Sequence, residues 1–246
     1  MFHRLGGRWI TDGLDLLVPP RCVHCLGDLP AEPAGGLVCA ACCRDLAIDA
    51  PRCEVCGERL TAAVACAGCR RTRHGCAGLA VLGGYRDRLR SAILRCKRPG
   101  GEPLVAALAA LLVARCEATF AAWKVDLVSP VPMHWSRRMI RGTSAADELA
   151  AAVAAQLGLP CRSVLRRAVA TRMQNELPVE SRRGNVADVF RVRGDVASRR
   201  VLVVDDVCTT GSTLAACSRA LTAAGASAVY AAVVAKADRS SDHGDD

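Results

Sequence analysis

In VLVVDDVCTTGST, Val201 to Thr213, a run of β-branched and apolar residues gives way to two adjacent carboxylates, and these to small hydroxyl residues around a glycine. Val201 to Val204 is apolar on both parities, the pattern of a strand buried on both faces of a parallel sheet. Asp205 and Asp206 fall where that strand is expected to end. Thr209, Thr210, Gly211, Ser212 and Thr213 then lead into Leu214–Leu221, whose apolar positions recur at helical spacing. The predicted order is strand, acidic pair, loop, helix.

That order has a chemical meaning. In open α/β sheets ligands bind beyond the carboxyl ends of the strands, and the helix that follows offers unpaired backbone N–H groups to an anion. Gly211 permits the tight loop, and Thr209, Thr210, Ser212 and Thr213 add hydroxyl donors to the same phosphate. Two carboxylates beside a phosphate would repel it unless they have other partners. They are good acceptors for sugar hydroxyls and hold magnesium directly or through water. The combination asks for a phosphorylated sugar.

Outward from this stretch, strand and helix patterns alternate. A strand-like run ends at Tyr85, a helix follows through Leu94, and Lys97-Arg98-Pro99-Gly100-Gly101 forms a basic turn. A helix is expected from Leu104 to Trp123, a strand at Val125–Val128, a helix from Ala145 to Leu157, and a last strand near Ala228–Ala235. Between the second and third of these lies Ser129-Pro130-Val131-Pro132 and a basic segment from His134 to Gly142, a second candidate anion loop. The economical fold is α/β, a parallel sheet flanked by helices on both faces. Lys97, Arg137 and Arg141 are the candidates to meet a pyrophosphate. No His or Glu stands at a position that serves as a general acid or base, which leaves open whether any transfer is catalysed.

The first quarter has a different composition. Of 15 cysteines, ten fall between Cys22 and Cys76, and eight form the pairs Cys22/Cys25, Cys39/Cys42, Cys53/Cys56 and Cys66/Cys69. Each pair projects two thiolates from a tight turn, and two pairs complete the tetrahedral shell of a structural zinc site. Two zinc ions are expected. Sequential and interleaved pairings both satisfy the spacing. Cys43, His24, His74 and Cys76 are near enough in sequence to substitute for a ligand and rank behind the eight. An odd count without an export signal points to metal binding in a reducing compartment, hence the cytoplasm.

Hydrophobic residues make up 51 % and aromatics only 3 %, so the core must be built from Ala, Val and Leu. Leu104–Ala114 is too short to span a bilayer, which needs about 20 apolar residues. MFHRLGGRWITDGLDLLVPP reads as an amphipathic helix with Trp9, Ile10, Leu14 and Leu17 on one face, suited to a partner or to peripheral docking at the inner membrane face. The expected organisation is helix 1–19, double zinc ribbon 20–76 and a sheet domain 77–246. The net charge of +9 falls to about +5 once two Cys₄ zinc centres are counted. The basic excess is concentrated between His134 and Arg200, with 13 Arg against 6 acidic residues. It fits a pyrophosphate or a nucleic-acid backbone, although the aromatic interleaving of a single-strand stacking platform is missing.

VLVVDDVCTTGST resembles the phosphoribosyl-pyrophosphate signature of the type I phosphoribosyltransferases. By that resemblance Asp205 and Asp206 hydrogen-bond the ribose 2′ and 3′ hydroxyls and Thr209–Thr213 hold the 5′-phosphate. Nearly the whole chain is similar to the ComF family. Lys97 and Gly100 fit its basic turn. Pro130, Val131, Pro132, Arg137, Arg141 and Gly142 fit its second block, and Arg166, Thr171, Gln174, Leu177, Arg182, Asn185 and Phe190 fit its third. After Gly142 the chain has Thr143-Ser144-Ala145 where the family usually has an aromatic residue and Asn-Gln. The resemblance implies phosphoribosyl pyrophosphate with magnesium as ligand and a part in natural competence, where incoming single-stranded DNA is handled with competence-machinery proteins. A non-enzymatic zinc-ribbon adaptor with a vestigial ligand loop is the competing expectation. A nucleotide-salvage enzyme would need a nucleobase-binding hood, and the ribbons stand where one would be.

Overall fold

The computed structural model describes residues 20–29, 36–47, 51–60, 66, 69, 75–132, 145–167 and 189–237. The expected helix at 1–19, Arg137 and Arg141, and five of the third-block residues (Thr171, Gln174, Leu177, Arg182 and Asn185) lie outside them.

Four parallel strands form the sheet: β1 (Gly78–Gly84), β2 (Leu127–Pro130), β5 (Arg200–Cys208) and β6 (Ala228–Lys236), in the spatial order β1-β6-β5-β2. Both parities of the central strands are buried. Leu202, Val204, Ala232 and Val234 face one layer of helices, α2 (Asp87–Cys96), α3 (Glu102–Arg115) and α5 (Ala145–Leu157). Val201, Val203, Ala231 and Val233 face α6 (Ser212–Ala223) and a small antiparallel pair, β3 (Leu165–Arg167) and β4 (Phe190–Val192). A strand covered on both sides has no polar face to show, which is why Val201–Val204 lacks alternation.

Three boundaries differ from the sequence expectation. β5 does not stop at Asp205 but runs to Cys208, because β6 is equally long and continues to pair, Asp205 opposite Val233 and Cys208 opposite Lys236. The acids are thus held in the ladder, not on a loose loop. β2 starts at Leu127, two residues later than expected, and extends through Pro130. The helix expected over Leu104–Trp123 is two helices, α3 and α4 (Glu117–Trp123), bent by 74° at Cys116. The bend brings Phe120 and Trp123 back onto the core, where Trp123 stacks on Tyr230 with ring centroids 4.5 Å apart. Gly78 makes room for that ring, since a Cβ there would sit 2.5 Å from it. Among the described residues no single helix is long and apolar enough to cross a membrane.

Among the described residues, the cysteine-rich part includes the helix α1 (Ala40–Ala47) and two knuckles built on the same scheme. In the first, Cys22 N–H donates to Gly27 O at 2.8 Å and Leu29 N–H to Pro20 O at 2.8 Å; in the second, Cys53 N–H donates to Glu58 O at 2.9 Å and Leu60 N–H to Pro51 O at 2.8 Å. They dock differently. The second covers the edge strand, where Leu79 N–H donates to Glu54 O at 2.7 Å. The first faces α2 through Arg95.

Candidate functional site

Asp205 and Asp206 lie partly buried at the carboxyl end of β5. Asp205 Oδ1 accepts from the Asp206 amide at 2.9 Å, and Asp206 Oδ1 from the Val207 amide at 2.8 Å. The free oxygen of Asp206 forms an ion pair with Lys97 Nζ, with each side chain about a quarter exposed, 23 % and 24 %. Burial pushes the Asp205 carboxyl up to about 8, with the adjacent Asp206 charge adding to the effect. One acid is therefore paired and charged, while its neighbour is held near neutrality. A cation or a set of hydroxyl donors brought to Asp205 would favour its ionised form.

The loop that follows leads into the N-terminus of α6. Gly211 is buried with φ +80°, a left-handed conformation that carries a penalty for any residue with a Cβ. Ala215 N–H makes the first helical bond, to Gly211 O at 2.9 Å. The Ser212 amide is satisfied by Thr210 Oγ1 at 3.3 Å, which itself donates to Ser212 Oγ at 3.0 Å. Among the described residues the amides of Gly211, Thr213 and Leu214 meet no protein acceptor. Thr209, Thr210, Ser212 and Thr213 are all exposed, so their hydroxyls and these amides share one open end of α6.

Of the predicted anion ligands, Lys97 sits at the C-terminal end of α2 against Asp206, while Arg137 and Arg141 fall outside the described residues. Sequence reasoning missed Lys236. It ends β6, is only 4 % exposed, and its ammonium donates to Thr209 O at 2.8 Å and to Ala237 O at 3.4 Å. A lysine closing an apolar strand reads as a solvated end, and only the parallel pairing with Cys208 places it under the loop.

The eight cysteines assemble sequentially. The sulfurs of Cys22, Cys25, Cys39 and Cys42 lie within 4.8 Å of one another, and so do those of Cys53, Cys56, Cys66 and Cys69. Thiolates about 2.3 Å from a tetrahedral zinc stand about 3.8 Å apart. The contacts Cys25–Cys39 at 3.8 Å, Cys53–Cys69 at 3.4 Å and Cys56–Cys66 at 3.4 Å suit that ion. Amides of Cys25, Cys39 and Cys42 point at cluster sulfurs at 3.3 to 3.5 Å, as donors that favour thiolate charge. Three of the four substitutes are placed elsewhere, and His74 lies outside the described residues. Cys43 turns to Val38 O, and Cys76 is buried against Leu214 O. His24 Nδ1 lies 3.5 Å from Cys42 Sγ, beside a ligand and not in its place. Both clusters are closed Cys₄ sets that fit structural zinc.

A parallel sheet with an acidic strand end and an anion-ready helix, preceded by two Cys₄ clusters, defines a phosphoribosyltransferase-type domain carrying a double zinc ribbon. Family comparison agrees: the phosphoribosyl transferase domain matches residues 143–246 and the double zinc ribbon domain residues 13–70. The chain belongs to the competence protein F family, being 30 % identical to competence protein F of Haemophilus influenzae over 82 % of this chain and 90 % of that one. DNA utilization protein YhgH of Escherichia coli K12 is 29 % identical over 87 % of this chain and 96 % of its own. Among solved structures, the glutamine phosphoribosylpyrophosphate amidotransferase of B. subtilis aligns with a TM-score of 0.41 at 22 % identity, over 57 % of this chain and 30 % of that one.

Proposed function

We propose that this chain binds phosphoribosyl pyrophosphate with magnesium at the end of β5 and works in DNA uptake or in the handling of single-stranded DNA. One observation carries the reading. Two ladder-held carboxylates adjoin a helix N-terminus whose amides at Gly211, Thr213 and Leu214 have no acceptor among the described residues. Asp205 and Asp206 take the ribose hydroxyls, and Thr209, Thr210, Gly211, Ser212 and Thr213 take the 5′-phosphate. Lys97, Arg137 and Arg141 meet the pyrophosphate. Magnesium, when bound, neutralises charge on the pyrophosphate. Because Lys97 is paired with Asp206 in the free protein, ligand binding is an exchange: the ammonium turns to the pyrophosphate as the ribose hydroxyls take its place on the carboxylate.

The relatives' names, competence protein and DNA utilization protein, support the DNA context. The eight cysteines hold two structural zinc ions, in a ribbon over 20–76 between an N-terminal helix at 1–19 and the sheet domain at 77–246. The protein acts in the cytoplasm, with peripheral docking at the inner membrane face through that helix and with competence-machinery proteins as partners.

The Lys97–Asp206 pair favours a second reading, a zinc-ribbon adaptor whose sugar site is already filled by its own lysine. Calorimetric titration with phosphoribosyl pyrophosphate and magnesium separates the two. The first reading expects saturable binding that is lost in Asp205→Asn/Asp206→Asn with zinc content unchanged. Absence of binding by the wild-type protein, with DNA affinity intact, establishes the adaptor. Pyrophosphate release with a panel of acceptors then tests for catalysis.

A further inference from the structure

We infer that Arg95 couples the first Cys₄ knuckle to the sugar-phosphate site, acting as a positioning residue for Lys97. Arg95 lies in the last turn of α2. Its guanidinium donates to two successive carbonyls of the Cys22–Cys25 knuckle, Nη1 to His24 O at 2.5 Å and Nη2 to Val23 O at 2.9 Å. A planar fork of this kind fixes orientation as well as distance, and a lysine cannot reproduce it. Two residues on, Lys97 caps the same helix and reaches Asp206. Arg98 N–H closes the turn onto Arg95 O at 3.0 Å, so that the backbone bearing Lys97 is tied to the residue holding the knuckle.

The grip has a second point. Asp45 of α1, which follows Cys42 in the same zinc unit, pairs with Arg88 at the start of α2 at 2.7 Å. α2 is thus held at both ends by the first metal unit. The second unit attaches elsewhere, through Glu54 O on β1 and through Gly57, which packs against Leu79 and Val81. The two metal sites are therefore not equivalent. A Cys₄ knuckle has its carbonyls in fixed positions only when the metal closes it, so the state of the first site sets the aim of Lys97, while the second site stabilises the sheet edge.

This inference rests on the sugar-phosphate reading for its functional consequence but not for its structural one, and the experiment reads both. Hydrogen exchange of α2 is measured in wild-type protein, Arg95→Ala, Arg95→Lys, and variants lacking metal at the first site (Cys22→Ser/Cys25→Ser) or the second (Cys53→Ser/Cys56→Ser), alongside the Kd for phosphoribosyl pyrophosphate with magnesium. Expected are faster exchange at residues 95–98 and an approximately tenfold weaker Kd in both Arg95 variants, with zinc content unchanged. First-site metal loss reproduces this, second-site loss does not, and Arg95→Ala adds nothing in a Lys97→Ala background. Exchange unchanged in the Arg95 variants, or equal effects of the two metal sites, overturns the coupling. If the first-site variant fails to fold, the Arg95→Lys result alone decides. Changed exchange without ligand binding by any protein leaves the coupling standing and rejects the sugar-phosphate site.

Discussion

Lys236 places a buried ammonium 2.8 Å from the carbonyl of Thr209, the first residue of the loop expected to hold phosphate. Among the described residues its partners are two carbonyls, with no carboxylate to neutralise it. Burying a charge in that way is costly, and replacement by an apolar residue of similar volume is often neutral or stabilising. The same charge is well used if an anion arrives above it. Lys236→Met is therefore expected to leave the thermal midpoint unchanged or raised while weakening phosphoribosyl-pyrophosphate affinity about tenfold, the effect of losing a charge-assisted bond of ~1.5 kcal/mol. Lys236→Arg retains most of the affinity. Titration calorimetry and thermal unfolding of the three proteins check this, and an unchanged Kd in the methionine variant refutes it.

Asp205 gives stability a definite pH slope. Burial and the charge of Asp206 raise its carboxyl from the ordinary 3.8 to about 8 in the folded protein. The folded state then holds a proton that the unfolded state has released. The sign follows: this contribution is fully present below about pH 4, declines as pH rises, and is gone above about pH 8. Asp205→Asn, which cannot ionise, removes that slope. Urea unfolding from pH 5 to 9 is expected to show a steeper loss of stability in wild-type protein than in the asparagine variant. Parallel curves count against a neutral Asp205.

Metal content separates the two clusters. Protein purified without chelator is expected to contain close to two zinc per chain by elemental analysis. Cys53→Ser/Cys56→Ser lowers this to one, because each cluster draws all its sulfurs from its own two pairs. Interleaved pairing, first pair with third and second with fourth, would also leave one zinc after that change; combining it with Cys22→Ser/Cys25→Ser separates the two, leaving no zinc if the pairs are sequential and one if they are interleaved.

Much of this arrangement could be read from residue order. The acids and the Gly211 loop are contiguous, so Val201–Thr213 carries nearly the whole candidate site. The four CxxC pairs announce their chemistry by spacing. What was illegible depends on neighbours distant in sequence. The length of β5 is set by β6, which holds Asp205 and Asp206 in the ladder beyond the apolar run. The pairing of cysteines is set by the folding of each knuckle onto the nearest helix or turn. Lys97 looked free for an anion because Asp206, more than a hundred residues later, could not be placed beside it. Arg95 and Lys236 carried no local signal at all. Their partners are backbone carbonyls, which every residue possesses.

The two knuckles offer a last comparison because they share a scheme but differ in the residue that takes the left-handed position. At matching positions stand Leu26, with φ +64°, and Gly57, with φ +70°. A left-handed conformation costs a residue with a Cβ about 1–2 kcal/mol, partly offset by the larger entropy that glycine loses on folding. Leu26 is 64 % exposed, so it gains little from burial. Leu26→Gly is expected to stabilise the zinc-loaded protein by about 0.5 kcal/mol. The reverse change is not symmetrical. A Cβ on Gly57 would stand 2.8 Å from Leu79 Cδ2 and 2.9 Å from Val81 Cγ2, so Gly57→Ala adds overpacking to backbone strain and is expected to cost about 2 kcal/mol. Denaturant midpoints and zinc-release rates to a chromogenic chelator measure both variants. Equal and small effects would mean that the second knuckle does not rest on β1.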